Sequence, residues 1–169
     1  MQKRQTNTMK GFTIIEVVLV LAIAGLIFLM VFIALPALQR SQRDTQRRDD
    51  MSRFMSQIAQ FSANNNGKIP ENADVGSSSK TFEKNYMKQT GNVSTSEWVD
   101  PSGQEYIIKY EKITSDKTIS GSFDGKTVYY ETQAKCGNGD GKVQKTGKAR
   151  DYAVLFILEG SGIYCGDNS

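Results

Sequence analysis

The 169-residue sequence predicts an α+β chain in which one long N-terminal helix packs on a C-terminal antiparallel sheet. Three observations carry that expectation. From Val17 to Leu38 no charged residue occurs, so about twenty apolar residues are available to cross a hydrocarbon core. The helical pattern then continues but turns one-sided, with Met51, Phe54, Met55, Ile58 and Phe61 recurring at the spacing of a single helix face. In the last third of the chain the pattern changes to short β-branched and aromatic runs separated by Gly-rich turns, as antiparallel strands require.

Taken in order, Lys3, Arg4 and Lys10 form a basic leader that ends at Gly11, and Glu16 falls near the start of the apolar helix. A charge inside a membrane span costs roughly 2.5–3.5 kcal/mol at mid-membrane and less near the ends, so Glu16 is read as functional. Arg40, Arg43, Arg47 and Arg48 follow the span as the basic leader precedes it, so positive residues alone do not orient it. Arg40–Asp44, Asp44–Arg48 and Asp49–Arg53 are opposite charges at i, i+4, expected to support an exposed helical face. Asn64-Asn65-Asn66-Gly67 followed by Pro70 stops the helix, which from about Thr13 to Ala63 is on the order of 75 Å long at 1.5 Å per residue.

The next segment reads as an irregular connection. Gly76-Ser77-Ser78-Ser79 is expected to be flexible, a short amphipathic helix is expected from Lys80 to Gln89, and Trp98-Val99-Asp100-Pro101-Ser102-Gly103 is a turn feeding a strand from Tyr106 to Tyr110. Further strands are expected from Thr127 to Thr132 and from Tyr152 to Glu159, and Glu159-Gly160-Ser161-Gly162 leads as a tight hairpin into Ile163-Tyr164-Cys165. The strand after Tyr152 is apolar on both faces, which places it in the interior of the sheet.

The string Gly11-Phe12-Thr13-Ile14-Ile15-Glu16, followed at once by the apolar helix, resembles the prepilin signature of type IV pilins and type II secretion pseudopilins. The resemblance implies that a prepilin peptidase cuts between Gly11 and Phe12 and methylates the new amine, after which the helix packs in the centre of a filament. It further implies that Phe12 and Glu16 work in subunit assembly. Gly25 falls where these families often carry a helical glycine, while Pro36 lies three residues later than the proline of the best-known Gram-negative pilins. Asp100-Pro101 followed by Gly103 and a Tyr-rich strand is similar to the turn that opens the sheet in many pilins. On this reading residues 1–11 are the leader, 12–38 the transmembrane and filament-core helix, 39–66 its amphipathic continuation, 67–103 the αβ-loop and 104–169 the antiparallel sheet domain with a C-terminal disulfide loop.

The chemistry of that cut can be followed from the residues. Before it, the nitrogen of Phe12 is an amide and Glu16 is read as lacking a cationic partner. After it, a free α-amine with a pKa near ~8 stands ready to pair with a carboxylate, and stranding either partner costs several kcal/mol. Proteolysis thereby switches on a contact between subunits.

Cys136 and Cys165 are an even pair in a chain read as exported, which favours a disulfide over two buried thiols. The chain has no His, so a Ser-His-Asp triad, a Cys-His dyad and a Cys/His metal cluster are excluded, and neither catalysis nor a cofactor is expected. The leader holds three of the 21 Lys and Arg and none of the 18 Asp and Glu, so the mature chain balances at 18 against 18 and the basic pI is a leader effect that gives no argument for nucleic acid. Asn138-Gly139-Asp140-Gly141 resembles half of a calcium loop, but Cys136 occupies the first ligand position and no downstream Glu follows, so a polar turn is expected. Lys135, Lys142, Lys145, Lys148 and Arg150 form a basic stretch that a solvated loop explains and that a DNA backbone would also suit.

The function expected is that of a structural subunit of a type IV pilus-like filament, held in the cytoplasmic membrane as a single-pass precursor with its C-terminus outside and carried to the cell surface on assembly. Its expected partners are copies of itself, other pilins, the peptidase, an assembly platform, and membrane lipid before assembly. The alternatives are a pseudopilin of a secretion or DNA-uptake machine and a membrane-tethered adhesin or DNA receptor. A cleaved secretory signal is argued against by Leu26–Ala34, which continue apolar beyond the Ala22-Ile23-Ala24 triplet, and by Glu16 within the apolar region.

Overall fold

The computed structural model describes residues 11–76, 80–160 and 162–169. The basic leader through Lys10, the serines Ser77 to Ser79 of the expected flexible linker, and Ser161 of the expected hairpin turn lie outside the described residues. The chain divides into two compact units between Gln39 and Arg40. Helix α1 (Ile14–Asn64) contributes to both.

In the first unit α1 is long and apolar enough to cross a membrane, and side chains such as Val17, Leu21, Phe28 and Phe32 are exposed. The helix continues through Pro36. Its other end is set in the second unit, where Asn66 takes a left-handed φ of 55° and the Gly67 N–H donates to the Ser62 carbonyl at 2.8 Å. That six-to-one bond after a left-handed residue closes a helix by occupying a carbonyl that has no further intrahelical donor.

The second unit is built in three layers. Met51, Phe54, Ile58 and Phe61 form the buried stripe of α1, as their spacing predicts, and pack on one face of a four-stranded sheet. That sheet is ordered β1-β3-β6-β7, from β1 (Ile107–Lys112), β3 (Thr127–Thr132), β6 (Tyr152–Ile157) and β7 (Ile163–Asp167). Its opposite face meets a three-stranded sheet ordered β2-β5-β4, from β2 (Lys117–Thr118), β4 (Ala134–Cys136) and β5 (Lys142–Lys145). Tyr152, Val154 and Phe156 of β6 belong to the first core, and Ala153 with Leu155 to the second, so the strand that is apolar on both faces is the interior one. A short helix α2 (Thr81–Asn85) sends Phe82 into the first core and is half as long as the Lys80–Gln89 expectation.

Two expectations are corrected. The large sheet is mixed rather than antiparallel, because β1 runs parallel to β3 with Ile107 opposite Thr127. After β1 the chain leaves this sheet, supplies β2 to the small one, and re-enters beside β1 in the same direction. The second correction concerns the region around the cysteines, which forms a sheet of its own instead of a loop.

Candidate functional site

At the start of α1, Gly11 and Phe12 are exposed, and a Cβ built on Gly11 meets nothing within 4 Å. Nothing in the described chain demands glycine there. The Thr13 N–H and hydroxyl both donate to Glu16 Oε2 at 3.0 Å, and the Glu16 N–H donates back to Thr13 Oγ1 at 3.3 Å. With the helix opening at Ile14, this is a capping box, the Thr-x-x-Glu arrangement that satisfies two orphan N–H groups of a first turn. Among the described residues Glu16 meets no cation, but it is not idle: it has Thr13. The spacing was visible in the sequence, and such a cap is worth about 1 kcal/mol. Both bonds end on Oε2, and Oε1 accepts none among the described residues.

A second concentration of charge lies inside the second unit. Arg47 is wholly buried. Its Nε and Nη2 donate to the two oxygens of Asp100 at 2.6 and 3.1 Å, and its Nη1 reaches Asp44 at 2.9 Å and Glu159 at 3.1 Å. Its guanidinium also stands 4.4 Å from the centre of the Phe123 ring. Burial alone would lower the Arg47 pKa, and the hydrogen bonds it donates to Asp100, Asp44 and Glu159 raise it instead. Arg43 grips Glu159 at 2.8 and 2.6 Å and, with help from Arg47, holds its pKa down to about 2. Asp44 accepts the N–H groups of Glu159 and Gly160 at 2.9 and 2.7 Å, and Asp100 also accepts from the N–H and hydroxyl of Ser102.

The i, i+4 pairs expected on an exposed face are therefore replaced. Asp44 pairs with Arg47 at i, i+3 in the interior, and neither Asp44–Arg48 nor Asp49–Arg53 is an ion pair. The cause is tertiary: the Asp-Pro turn and the segment after β6 bring Asp100 and Glu159 onto this helix face, and burying an arginine demands such partners. Sequence reading missed Arg47 because its partners are distant along the chain.

Cys136 on β4 and Cys165 on β7 form a disulfide with their Cα atoms 6.0 Å apart, linking the edge strands of the two sheets. Asp140 of the Asn138–Gly141 turn accepts the Ile163 N–H at 2.6 Å and so anchors the start of β7. Among the described residues no group of three or more His, Cys, Asp or Glu gathers to hold a metal. Gly141 (φ 68°) is required there, since a Cβ would stand 2.3 Å from the Ile119 carbonyl oxygen. The basic residues Lys135, Lys142, Lys145, Lys148 and Arg150 are exposed, and alternation along β5 turns Lys142 and Lys145 to opposite faces of the small sheet. The five therefore do not all share one face of that sheet.

Cavities of ≈ 640, ≈ 410 and ≈ 330 Å³ open in the second unit. One of ≈ 640 Å³ adjoins the end of α1, with Lys68 and Arg150 opposed by Glu71 and Asp74. Another of ≈ 330 Å³ is walled by Arg53 and Gln57 of α1 and by Trp98. The Trp98 Nε1 is buried with no hydrogen-bond partner among the described residues, an omission that costs about 1–3 kcal/mol where nothing fills it. No protein family, curated protein or solved structure matches this chain.

Proposed function

We propose that the chain is a structural subunit of a type IV pilus-like filament, inserted in a membrane as a precursor, cut after Gly11 and assembled through its N-terminal helix. The observation that carries the reading is Glu16, a carboxylate at the head of an uncharged apolar helix with Oε2 held by Thr13 and Oε1 open. Held this way, Oε1 is presented toward an amine that cleavage would create on a neighbouring copy. Gly11 supports the same reading. Its glycine answers no steric need within the described chain, and a peptidase cleft that admits only a bare backbone supplies one.

The capping box favours a second reading, a membrane-tethered surface protein in which Glu16 does nothing beyond starting the helix. Glu16→Gln separates the two, because Gln serves a capping box as Glu does but carries no charge. In the filament reading Glu16→Gln and Glu16→Ala are both processed to a Phe12 N-terminus, accumulate in the membrane and give at least tenfold fewer filaments by electron microscopy. Normal filament yield from Glu16→Gln rejects the charge pairing, and filaments that do not contain the chain leave the tether.

A further inference from the structure

Asn-Gly occurs twice in the sequence, at Asn66-Gly67 and Asn138-Gly139, and Asp-Gly twice, at Asp124-Gly125 and Asp140-Gly141. Asn is a thermolabile residue, because the next backbone nitrogen can attack its side-chain carbonyl carbon, and a following glycine has no Cβ to shield that nitrogen. The attack needs a nitrogen free to give up its proton and an acyl group free to turn toward it. The fold grants both to one pair of the four.

Asp124 is held by the N–H groups of Lys126 and Thr127 at 3.0 and 2.9 Å and by the Thr127 hydroxyl, and Asp140 Oδ1 is held by the Ile163 N–H at 2.6 Å. An ionised carboxylate is moreover a poor electrophile. At Asn66 the obstacle is the nitrogen. The Gly67 N–H donates to the Ser62 carbonyl at 2.8 Å as part of the helix stop, and the Arg150 guanidinium lies over Gly67, 2.7 Å from where a Cβ would stand. Asn138 is exposed, and neither its side chain nor the Gly139 N–H makes a hydrogen bond among the described residues. Gly139 itself takes a φ of 125°, a conformation that glycine alone accepts readily.

A second observation comes from the facing strand. Lys142 Nζ stands 3.6 Å from the point a Cβ on Gly139 would occupy, and Lys142 makes no ion pair among the described residues. An ammonium beside a nitrogen that must lose its proton favours the ionised form, and it also stabilises the oxyanion that forms on attack.

We propose that Asn138 is a site of spontaneous deamidation, driven by the turn that carries it. The Gly139 nitrogen gives its proton to hydroxide and bonds to Asn138 Cγ; the bond from Cγ to Nδ2 breaks, and ammonia leaves with a proton taken from water. Water then opens the five-membered imide at either carbonyl, leaving an aspartyl or an isoaspartyl link and one new negative charge. The charge falls in the wall of the ≈ 410 Å³ cavity that Lys117 and Lys142 also line, and the isoaspartyl product lengthens by one carbon the turn between β4 and β5. The site lies wholly within the second unit and stands whether or not the helix assembles into filaments.

Full-length protein in detergent micelles is incubated at neutral and at mildly alkaline pH, then reduced and digested with trypsin, whose cuts at Lys135 and Lys142 separate Asn138 from Asn66. Mass spectrometry with electron-transfer fragmentation reads the exchange of ammonia for water at each site and tells the two links apart. The expected result is conversion at Asn138 at least tenfold faster than at Asn66, faster at the higher pH and mostly to the isoaspartyl link, with the contrast lost in protein reduced and held in urea. Lys142→Gln, an exposed substitution, slows Asn138 severalfold at an unchanged melting temperature. Equal rates at the two sites of the folded protein, a faster Asn66, or an Asn138 that persists while the urea-treated chain converts would overturn the proposal. An unaltered rate in Lys142→Gln would overturn the part given to the ammonium.

Discussion

In the second half of α1, Arg47 is wholly buried and answered by Asp44, Asp100 and Glu159, whereas in the first half Glu16 is exposed and, among the described residues, receives only the donors of Thr13. One helix thus carries two charges at odds with their surroundings, and they are resolved differently. A buried charge that its own chain neutralises belongs to the fold. A charge on an apolar, membrane-length segment that has a cap but no counter-ion among the described residues is instead the group on which the proposed pairing between subunits rests.

The sharpest way to break the comparison is to remove Arg47. Arg47→Met keeps the stem but strands Asp100, and the second unit is expected to lose about 3–5 kcal/mol, read as a lower melting temperature, while helical signal from the apolar first half persists. Adding Asp100→Asn should recover part of the loss. Equal stability of Arg47→Met and the parent would show that the network contributes nothing to the fold.

Reduction is expected to come next. The Cys136–Cys165 bond spans 29 residues of sequence, so reducing it should cost the second unit roughly 3–4 kcal/mol on the chain-entropy account, again sparing the apolar helix. Calorimetry with and without reductant measures it, and an unchanged transition would remove the disulfide from the stability of the domain.

Acid gives the smallest effect. Glu159, held at about 2 by Arg43 and Arg47, adds stability above its unfolded pKa of ~4.3 and loses it as pH falls toward 2. Asp50, raised by burial, works the other way and favours the fold as it takes up a proton. Melting temperature should therefore pass through a shallow maximum in mild acid and then fall, and Glu159→Gln should flatten the acid side. An acid limb unaltered in Glu159→Gln would move its origin to other carboxylates.

What the sequence made legible was whatever a local period encodes. The helix expected from Thr13 to Ala63 is found at Ile14–Asn64, because its apolar face and its Asn-Asn-Asn-Gly stop are both short-range signals. The double-sided apolarity of β6 likewise announced an interior strand. Alternation along β1 says nothing of the direction of its neighbour, so the parallel pairing with β3 was out of reach. The strands β2, β4 and β5 are two to four residues long and rich in Lys, and so looked like loop. Arg47 was hidden because charges spaced along a helix read as a solvated face until Asp100 and Glu159 are placed beside it. The capping box at Thr13 is spelled out by the Thr-x-x-Glu spacing itself.

The connection between β6 and β7 carries a consequence for the order in which the chain folds. Its ladder is local, Ile157 against Ile163, but its path is pinned by Asp44 through the N–H groups of Glu159 and Gly160, across separations of 115 and 116 residues. Closing so long a loop is entropically costly and slow compared with zipping a hairpin, so the two strands can meet before their connection is fixed. The turn settles only when α1 docks on the sheet. A segment near the end of the chain thereby waits on a residue close to the membrane-length helix, and refolding followed at Glu159 should lag refolding followed along β6.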